Sequence, residues 1–157
     1  MAAGFTTSLA NRLDQQSLID VKEAEQGDII EPGKAYLAPG DFHMEISREN
    51  EKYKIELNQK PQRLGVRPCA DITIFSVVKN FDGKVICVIL TGMGKDGTEG
   101  AEKIKEKNGI VLAQDKETSI IFGMPKTAID KGVVDKVLPV GKIAEEIVVQ
   151  IKNLLRN

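Results

Sequence analysis

Tryptophan is absent from this chain of 157 residues, histidine occurs once and cysteine occurs twice. A metal site built from cysteine and histidine needs three or four such ligands at close spacing, and the sequence contains no group of that kind. The two cysteines, Cys69 and Cys87, lie far apart in the sequence, so we expect both to be reduced thiols in the core. The sequence therefore gives no sign of a metal site.

Long apolar runs and an excess of charge are also missing. No run approaches the roughly 20 apolar residues that a membrane-spanning helix needs, and no signal peptide is recognisable at the N-terminus. Lys plus Arg is 22 and Asp plus Glu is 23, so a nucleic acid or an anionic membrane is not an expected partner. Aromatic residues are only 4% of the chain, so the core must be mostly aliphatic. We expect a cytoplasmic protein that forms one domain over residues 1–157.

Residues 85–107 read VICVILTGMGKDGTEGAEKIKEK and predict a strand, a glycine-rich turn and a helix. Val85–Leu90 is short, apolar and rich in β-branched residues, which is typical of a buried strand. Thr98–Lys107 consists mostly of helix-forming residues. The turn lies at the carboxyl end of the strand, where open α/β sheets place their chemistry.

This turn has two interpretations. Gly92, Gly94 and Gly97 match the G-x-G-x-x-G fingerprint of dinucleotide-binding sites, and Asp115 follows the next predicted strand at a suitable spacing. In such a site a pyrophosphate lies at the helix N-terminus, where the negative charge of Asp96 would repel it.

The second interpretation is that the turn presents Asp96 and Met93, and electrostatics favours it. A carboxylate at a helix N-terminus is a helix cap without chemistry or a fixed anion directed at another side chain. The local pattern alone leaves these two roles open.

The rest of the chain alternates helices and strands. The predicted helices are Phe5–Leu13, Pro68–Asn80, a short one opened by Pro125, and Lys142–Leu155. The predicted strands are Ile19–Glu25, Ala35–Ala38, Ile110–Ala113, Val133–Leu138 and a hairpin of His43–Arg48 with Lys52–Leu57. The fold class is therefore α/β, with a doubly wound, mostly parallel sheet that carries helices on both faces, and with an antiparallel hairpin. We expect residues 19–57 as a whole to be antiparallel.

Periodicity predicts which faces are buried. In the first helix Phe5, Leu9 and Leu13 share one apolar face, and Thr6 or Thr7 can cap the helix. The last helix should bury its own apolar face, formed by Ile143, Ile147, Ile151 and Leu154.

The turn sequence Thr91–Gly97 resembles the T-G-M-G-x-D-G signature of the chemotaxis protein-glutamate methylesterases, in their C-terminal catalytic domain. Other stretches resemble the same family in the same order: Gly4–Thr6 with Ser8, Val21–Ala24, Ala38–Asp41 with His43 and Met44, Arg67–Pro68, and Phe122–Pro125. The resemblance extends from Ala3 to about Ile151, and the combination is much more specific than any single motif.

The resemblance implies a carboxylic-ester hydrolase with a Ser-His-Asp mechanism and no metal or organic cofactor. Its substrate would be a glutamyl methyl ester, or a glutamine, on the cytoplasmic domain of a chemoreceptor. Asp96 matches the triad aspartate, and Met93 matches a position whose backbone N–H serves the oxyanion hole. Gly92 and Gly94 allow close backbone approach at this active-site loop. A response-regulator domain, in cis or in trans, is the other implied partner.

Three further residues are candidates for the cleft. His43 matches a family histidine other than the triad histidine. It is either a general base near the cleft or, as we favour, a structural residue that holds the turn at Asp41 and the hairpin. Phe122 and Met124 lie on a second loop, which is either on the catalytic side or a simple turn into a helix.

In the family pattern the nucleophilic serine and the triad histidine precede the stretch that residues 1–5 match. No serine of this chain lies in a glycine-rich turn between a strand and a helix. We therefore expect an N-terminally incomplete catalytic domain that lacks its first strands, has no activity alone and tends to associate. The alternatives are a catalytically inactive receptor-binding remnant and, less favoured, a dinucleotide-binding module.

Overall fold

A computed structural model of the chain describes residues 4–156. These residues fall into two units, Met1–Phe81 and Asp82–Asn157. The prediction of one domain over the whole chain stays a prediction. In the part of the chain that the structure describes, no helix combines the length and the hydropathy needed to cross a membrane.

The first unit combines a parallel strand pair with an antiparallel hairpin. Its elements are α1 (Phe5–Gln16), β1 (Asp20–Glu23), β2 (Lys34–Leu37), β3 (His43–Glu49), β4 (Lys52–Asn58) and α2 (Ala70–Asn80). The predicted hairpin is confirmed, with His43 opposite Asn58 and Glu49 opposite Lys52. The expectation that residues 19–57 are antiparallel throughout is wrong, because β1 and β2 pair in parallel. Residues 24–33 return the chain to the start of β1, which a parallel pair requires.

The core of the first unit lies between the hairpin and α2. Ile46 and Ile55 of the hairpin are buried together with Ala24, and Val77 of α2 packs against them. Polar side chains of α2 also bind β3: Ser76 Oγ accepts a hydrogen bond from the Ile46 N–H at 2.7 Å. Because these polar contacts accompany the apolar ones, the helix is fixed on the strand in one register.

The rotation of α1 differs from the expectation. Phe5 is 60% exposed and Leu13 is 38% exposed, whereas Thr6 and Ala10 are buried. The reason is a tertiary hydrogen bond, in which Thr6 Oγ1 accepts from the Gly40 N–H at 2.9 Å. Neither predicted threonine caps the helix: Thr7 Oγ1 donates to Glu23 at 2.5 Å, and the helix begins after Gly4 without a side-chain cap.

The second unit has parallel strands alternating with helices. Its elements are β5 (Ile86–Ile89), α3 (Thr98–Glu106), β6 (Ile110–Gln114), α4 (Met124–Asp130), β7 (Lys136–Leu138) and α5 (Val140–Arg156). The strand order is β5-β6-β7, and both pairs are parallel. The central strand β6 is fully buried at Val111, Leu112 and Ala113. The α/β fold with mostly parallel strands is thereby confirmed.

Two side-chain expectations have different outcomes. Cys69 and Cys87 are buried and unbridged, as predicted. The apolar face of α5 is buried at Ile143, but Ile151 is 45% exposed. The helix is about 25 Å long, whereas the five-residue strand β6 spans roughly 17 Å, so the strand is too short to cover the whole apolar face of the helix.

Thr6→Val should lower the free energy of unfolding by roughly 1–3 kcal/mol, because the buried Gly40 N–H would lose its acceptor. Thr7→Val is the matched comparison, since it makes the same change one residue later, where the exposed hydroxyl donates to Glu23 Oε2 at 2.5 Å; a solvent-exposed hydrogen bond leaves no buried group unpaired when it is lost, so only about 0.5 kcal/mol is expected. Urea unfolding of both variants measures the difference. Equal losses for the two variants would show that the Thr6–Gly40 bond does not hold α1.

Candidate active site

The loop between β5 and α3, residues 91–97, is here called the site loop. Gly94 and Gly97 have φ angles of 91° and 87°, in the region that glycine adopts at little cost. Gly97 is the N-cap residue of α3, so the loop delivers Asp96 to the N-terminus of that helix. Asp96 is half-buried there, where the positive end of the helix dipole favours a carboxylate.

A second loop, residues 115–123, is here called the partner loop, and it pairs with the site loop through backbone groups. The Gly92 N–H donates to the Ile121 carbonyl at 3.0 Å. The Gly92 carbonyl accepts from the N–H groups of Gly123 and Met124 at 3.1 and 2.8 Å. Gly92 and Phe122 consequently form a parallel β-bridge, so the two loops continue the pairing of the sheet beyond its strands.

The close approach of the loops requires glycine on both sides. A Cβ atom at Gly92 would overlap Sδ of Met124. A Cβ atom at Gly123 would lie 2.7 Å from the Gly92 carbonyl oxygen and 3.1 Å from the Gly94 nitrogen. The glycines of the T-G-M-G and F-G-M-P stretches are therefore complementary parts of one contact.

Thr91 reinforces this contact at the start of the site loop. Its Oγ1 donates to the Ile121 carbonyl at 3.1 Å and accepts from the Ile121 N–H at 2.9 Å. On the other side, Thr127 Oγ1 donates to the Gly123 carbonyl at 3.0 Å and lies 3.4 Å from the Gly94 carbonyl of the site loop. Nothing in the sequence pointed to Thr127, because a threonine inside a helical pattern carries no signal of such a contact.

The structure thus brings most of the predicted site residues together. Gly92, Met93, Gly94 and Asp96 share one loop, and Phe122 and Met124 belong to the stretch hydrogen-bonded to it. Met93 is 83% exposed, so its side chain does not fill space in the protein core. Phe122 and Met124 are half-buried.

Asp115, the acidic residue of the dinucleotide interpretation, is used inside its own loop. Its Oδ1 accepts from the Thr118 N–H at 2.9 Å and from Thr118 Oγ1 at 2.6 Å. A carboxylate held in this way serves the turn, and Asp96 still occupies the place of the pyrophosphate. The geometry therefore does not favour a dinucleotide site.

His43 belongs to the first unit and has no solvent exposure. Its Nε2 lies 3.2 Å from the Pro61 carbonyl, which can only accept, so Nε2 carries the proton. Nδ1 is buried and has no hydrogen-bond partner among the residues that the structure describes. A buried imidazole arranged in this way supports the structural role, although the residue it holds is Pro61.

The turn at Asp41 is held by Arg67 instead. The Arg67 guanidinium approaches Asp41 Oδ1 through Nε at 3.2 Å and Nη2 at 2.6 Å. This hydrogen bond is the main reason why the pKa of the Asp41 carboxyl lies below its ordinary value. Two of the stretches that carried the family resemblance, Ala38–Asp41 and Arg67–Pro68, therefore meet in the first unit.

Comparison with known proteins gives consistent matches. Residues 1–147 match the family model described as CheB methylesterase. A protein-glutamate methylesterase/protein-glutamine glutaminase of Pyrococcus abyssi is 53% identical over 148 residues, which cover 94% of this chain and 40% of that protein. Its namesake from Thermotoga maritima is 49% identical over 148 residues, which cover 94% of this chain and 43% of that protein.

A solved structure gives the same family. The crystal structure of the Thermotoga maritima CheB methylesterase catalytic domain matches with a TM-score of 0.92 and 48% identity, over 96% of this chain and 79% of that chain. The chain spans about 40% of the length of the curated relatives that it matches.

Alanine substitutions test the glycine contact. Gly92→Ala and Gly123→Ala should each lower the free energy of unfolding by roughly 1–3 kcal/mol, because the new Cβ at position 92 overlaps the Met124 side chain of α4 and the one at position 123 overlaps the backbone of the site loop. Only Gly92→Ala should be rescued by Met124→Ala, since its clash is with a side chain, whereas the clash at Gly123 is with backbone. A double-mutant cycle in urea measures the coupling.

Gly141→Ala is the control, because a Cβ atom there meets no other atom and lies within α5. This substitution should stabilise the protein by about 0.5–1 kcal/mol. Rescue of Gly123→Ala by Met124→Ala, or no loss at either loop glycine, would contradict the described contact.

Proposed function

This chain belongs to the CheB methylesterase family, and on that basis we propose that it supplies the aspartate side of an ester-hydrolysing active site. The reaction is hydrolysis of a glutamyl methyl ester on a protein to glutamate and methanol. Glutamine side chains would give glutamate and ammonia by the same route. The relatives named protein-glutamate methylesterase/protein-glutamine glutaminase motivate both halves of this proposal.

The role of Asp96 is to hold a histidine in the tautomer that accepts a proton from the nucleophilic serine, and to stabilise the imidazolium that forms. His43, the one histidine of the chain, is buried and donates to Pro61. The imidazole that Asp96 serves is therefore supplied from outside residues 1–157, and so is the serine.

The role of Met93 is to offer its backbone N–H to the oxyanion of the tetrahedral intermediate. Gly92 and Gly94 flank it; Gly92 is fixed by the partner loop, and the positive φ angle of Gly94 turns the backbone sharply after Met93. A donor serves an oxyanion best when it is already oriented before the charge develops. The exposed Met93 side chain is free to contact the polypeptide that carries the ester.

The observation that supports this proposal is the pairing of Gly92 with residues 121–124, which attaches the loop that carries Met93 and Asp96. The proposed partner is the cytoplasmic domain of a methyl-accepting chemoreceptor, because the substrate is a protein side chain. A response-regulator domain, in cis or in trans, is the proposed regulatory partner. The mechanism needs no metal and no cofactor from this chain.

Asp96→Asn should lower ester hydrolysis on the order of 10⁴-fold while the fold survives, because asparagine keeps the shape but favours the wrong histidine tautomer. The assay measures methanol release from methylated receptor. It uses residues 1–157 joined to the preceding segment of the Thermotoga maritima catalytic domain, where we expect the serine and the histidine from the family pattern. Residues 1–157 alone should release no methanol.

Asp130→Asn is the matched control, since it makes the same change on an exposed carboxylate of α4 that is paired with Lys126. It should leave turnover unchanged. Full activity of the Asp96→Asn protein would reduce Asp96 to a helix cap. A joined protein that folds, binds receptor and never hydrolyses it would favour the receptor-binding remnant.

A further inference from the structure

Gln114 is a buried polar residue at the end of the apolar strand β6, and none of the sequence motifs explains it. Only 2% of Gln114 is exposed. Its side-chain amide is used at both ends: Oε1 accepts from the Thr91 N–H at 2.8 Å, and Nε2 donates to the Thr118 carbonyl at 2.8 Å. Thr91 begins the site loop and Thr118 lies in the partner loop, so one side chain joins both loops to the central strand.

Thr118 is itself held firmly. Its Oγ1 donates to Asp115 Oδ1 at 2.6 Å and accepts from the Val140 N–H, at the start of α5, at 3.0 Å. Gln114 Nε2 also lies 3.3 Å from this hydroxyl. Thr118 is therefore held by Asp115, by Gln114 of β6 and by the start of α5. The Gln114 side chain in turn connects Thr118 to the Thr91 N–H.

The chemistry of the position calls for an amide. The Thr91 N–H needs an acceptor and the Thr118 carbonyl needs a donor, and glutamine provides both at the correct length. A glutamate at position 114 would place a carboxylate oxygen against the Thr118 carbonyl oxygen, and two acceptors repel each other. A methionine would fill the same space but leave both backbone groups without their partner, at hydrogen bonds that are only partly accessible to water.

We propose that Gln114 is a positioning residue for the active site. By fixing the Thr91 N–H, it prevents the site loop from swinging about the end of β5, and so it sets where the Met93 N–H and the Asp96 carboxylate lie. The inference rests on the proposed function of that loop. Gln114 itself touches neither substrate nor reacting atoms.

The first arm of the test measures amide hydrogen exchange in the 157-residue chain. Gln114→Met and Gln114→Glu should accelerate exchange of the Gly92 and Ile121 amides at least tenfold relative to the Val111 amide of the same sheet. Leu112→Ala is the control, since it truncates a buried apolar side chain of β6 that makes no hydrogen bond to either loop. This variant should accelerate hydrogen exchange at all three amides by a similar factor, because it lowers the global stability.

The second arm measures steady-state kinetics of the joined protein on methylated receptor. Gln114→Met should lower kcat on the order of 10²-fold, the effect of a misplaced catalytic group, with KM changed less than about threefold. Leu112→Ala should keep kcat within about threefold at temperatures where it is folded.

A further pair of variants, at Thr118, tests the proposal if the Gln114 variants do not fold. Thr118 is exposed, so Thr118→Val removes the hydroxyl contacts with little change in packing, and Thr118→Ser keeps them. The valine variant should lose kcat and the serine variant should retain it.

The outcomes separate the two proposals. If Asp96→Asn loses activity but Gln114→Met and Thr118→Val behave as Leu112→Ala does, the positioning role is overturned and the proposed function stands. If Asp96→Asn keeps activity, the proposed triad role of Asp96 fails, and hydrogen exchange alone tests the positioning role of Gln114. Unchanged local exchange of Gly92 and Ile121 in the Gln114 variants would refute it.

Discussion

Pairing of the Gly92 peptide with residues 121–124 is the constraint on which the candidate site depends. Three backbone hydrogen bonds converge on this one residue, and each contributes about 0.5–1.5 kcal/mol net. The backbones can approach this closely because Gly123 has no Cβ atom, which would overlap the Gly92 carbonyl oxygen, and Gly92 leaves room for the Met124 side chain. The pairing continues that of the sheet into the loops.

The proposed roles of Met93 and Asp96 depend on this pairing. An oxyanion donor and a triad carboxylate help a reaction only if they are already placed when charge develops, so they are best carried by a loop with several attachments. The site loop is attached through Thr91 to Ile121 and Gln114, through Gly92 to the partner loop, and through Gly97 to α3. Asp96 lies between the last two attachments, where the helix dipole favours its charge.

The sequence predicted those elements that local chemistry determines. The strand, glycine turn and helix at residues 85–107 and the hairpin at residues 43–58 were recognisable, because periodicity and turn residues act over a few positions. The rotation of α1 was mispredicted, since one hydrogen bond from Thr6 to a distant glycine outweighs the i, i+4 pattern. The parallel pairing of β1 with β2 and the Pro61 contact of His43 are likewise set by tertiary contacts. Gln114 did carry a signal, a polar residue ending a buried strand, but not the identity of its partners.

Hydrogen-bond scalar couplings measured by NMR test most directly whether the two loops form one rigid piece. Couplings should be visible from the Gly92 nitrogen to the Ile121 carbonyl carbon and from the Met124 nitrogen to the Gly92 carbonyl carbon. The bond from the Ile110 N–H to the Val85 carbonyl, at 2.9 Å, is the internal reference beside the sheet. If the two loops are hydrogen-bonded as described, all three couplings should be observed. A spectrum with the reference coupling but neither loop coupling would contradict it, because the site loop would then be free of the partner loop in solution.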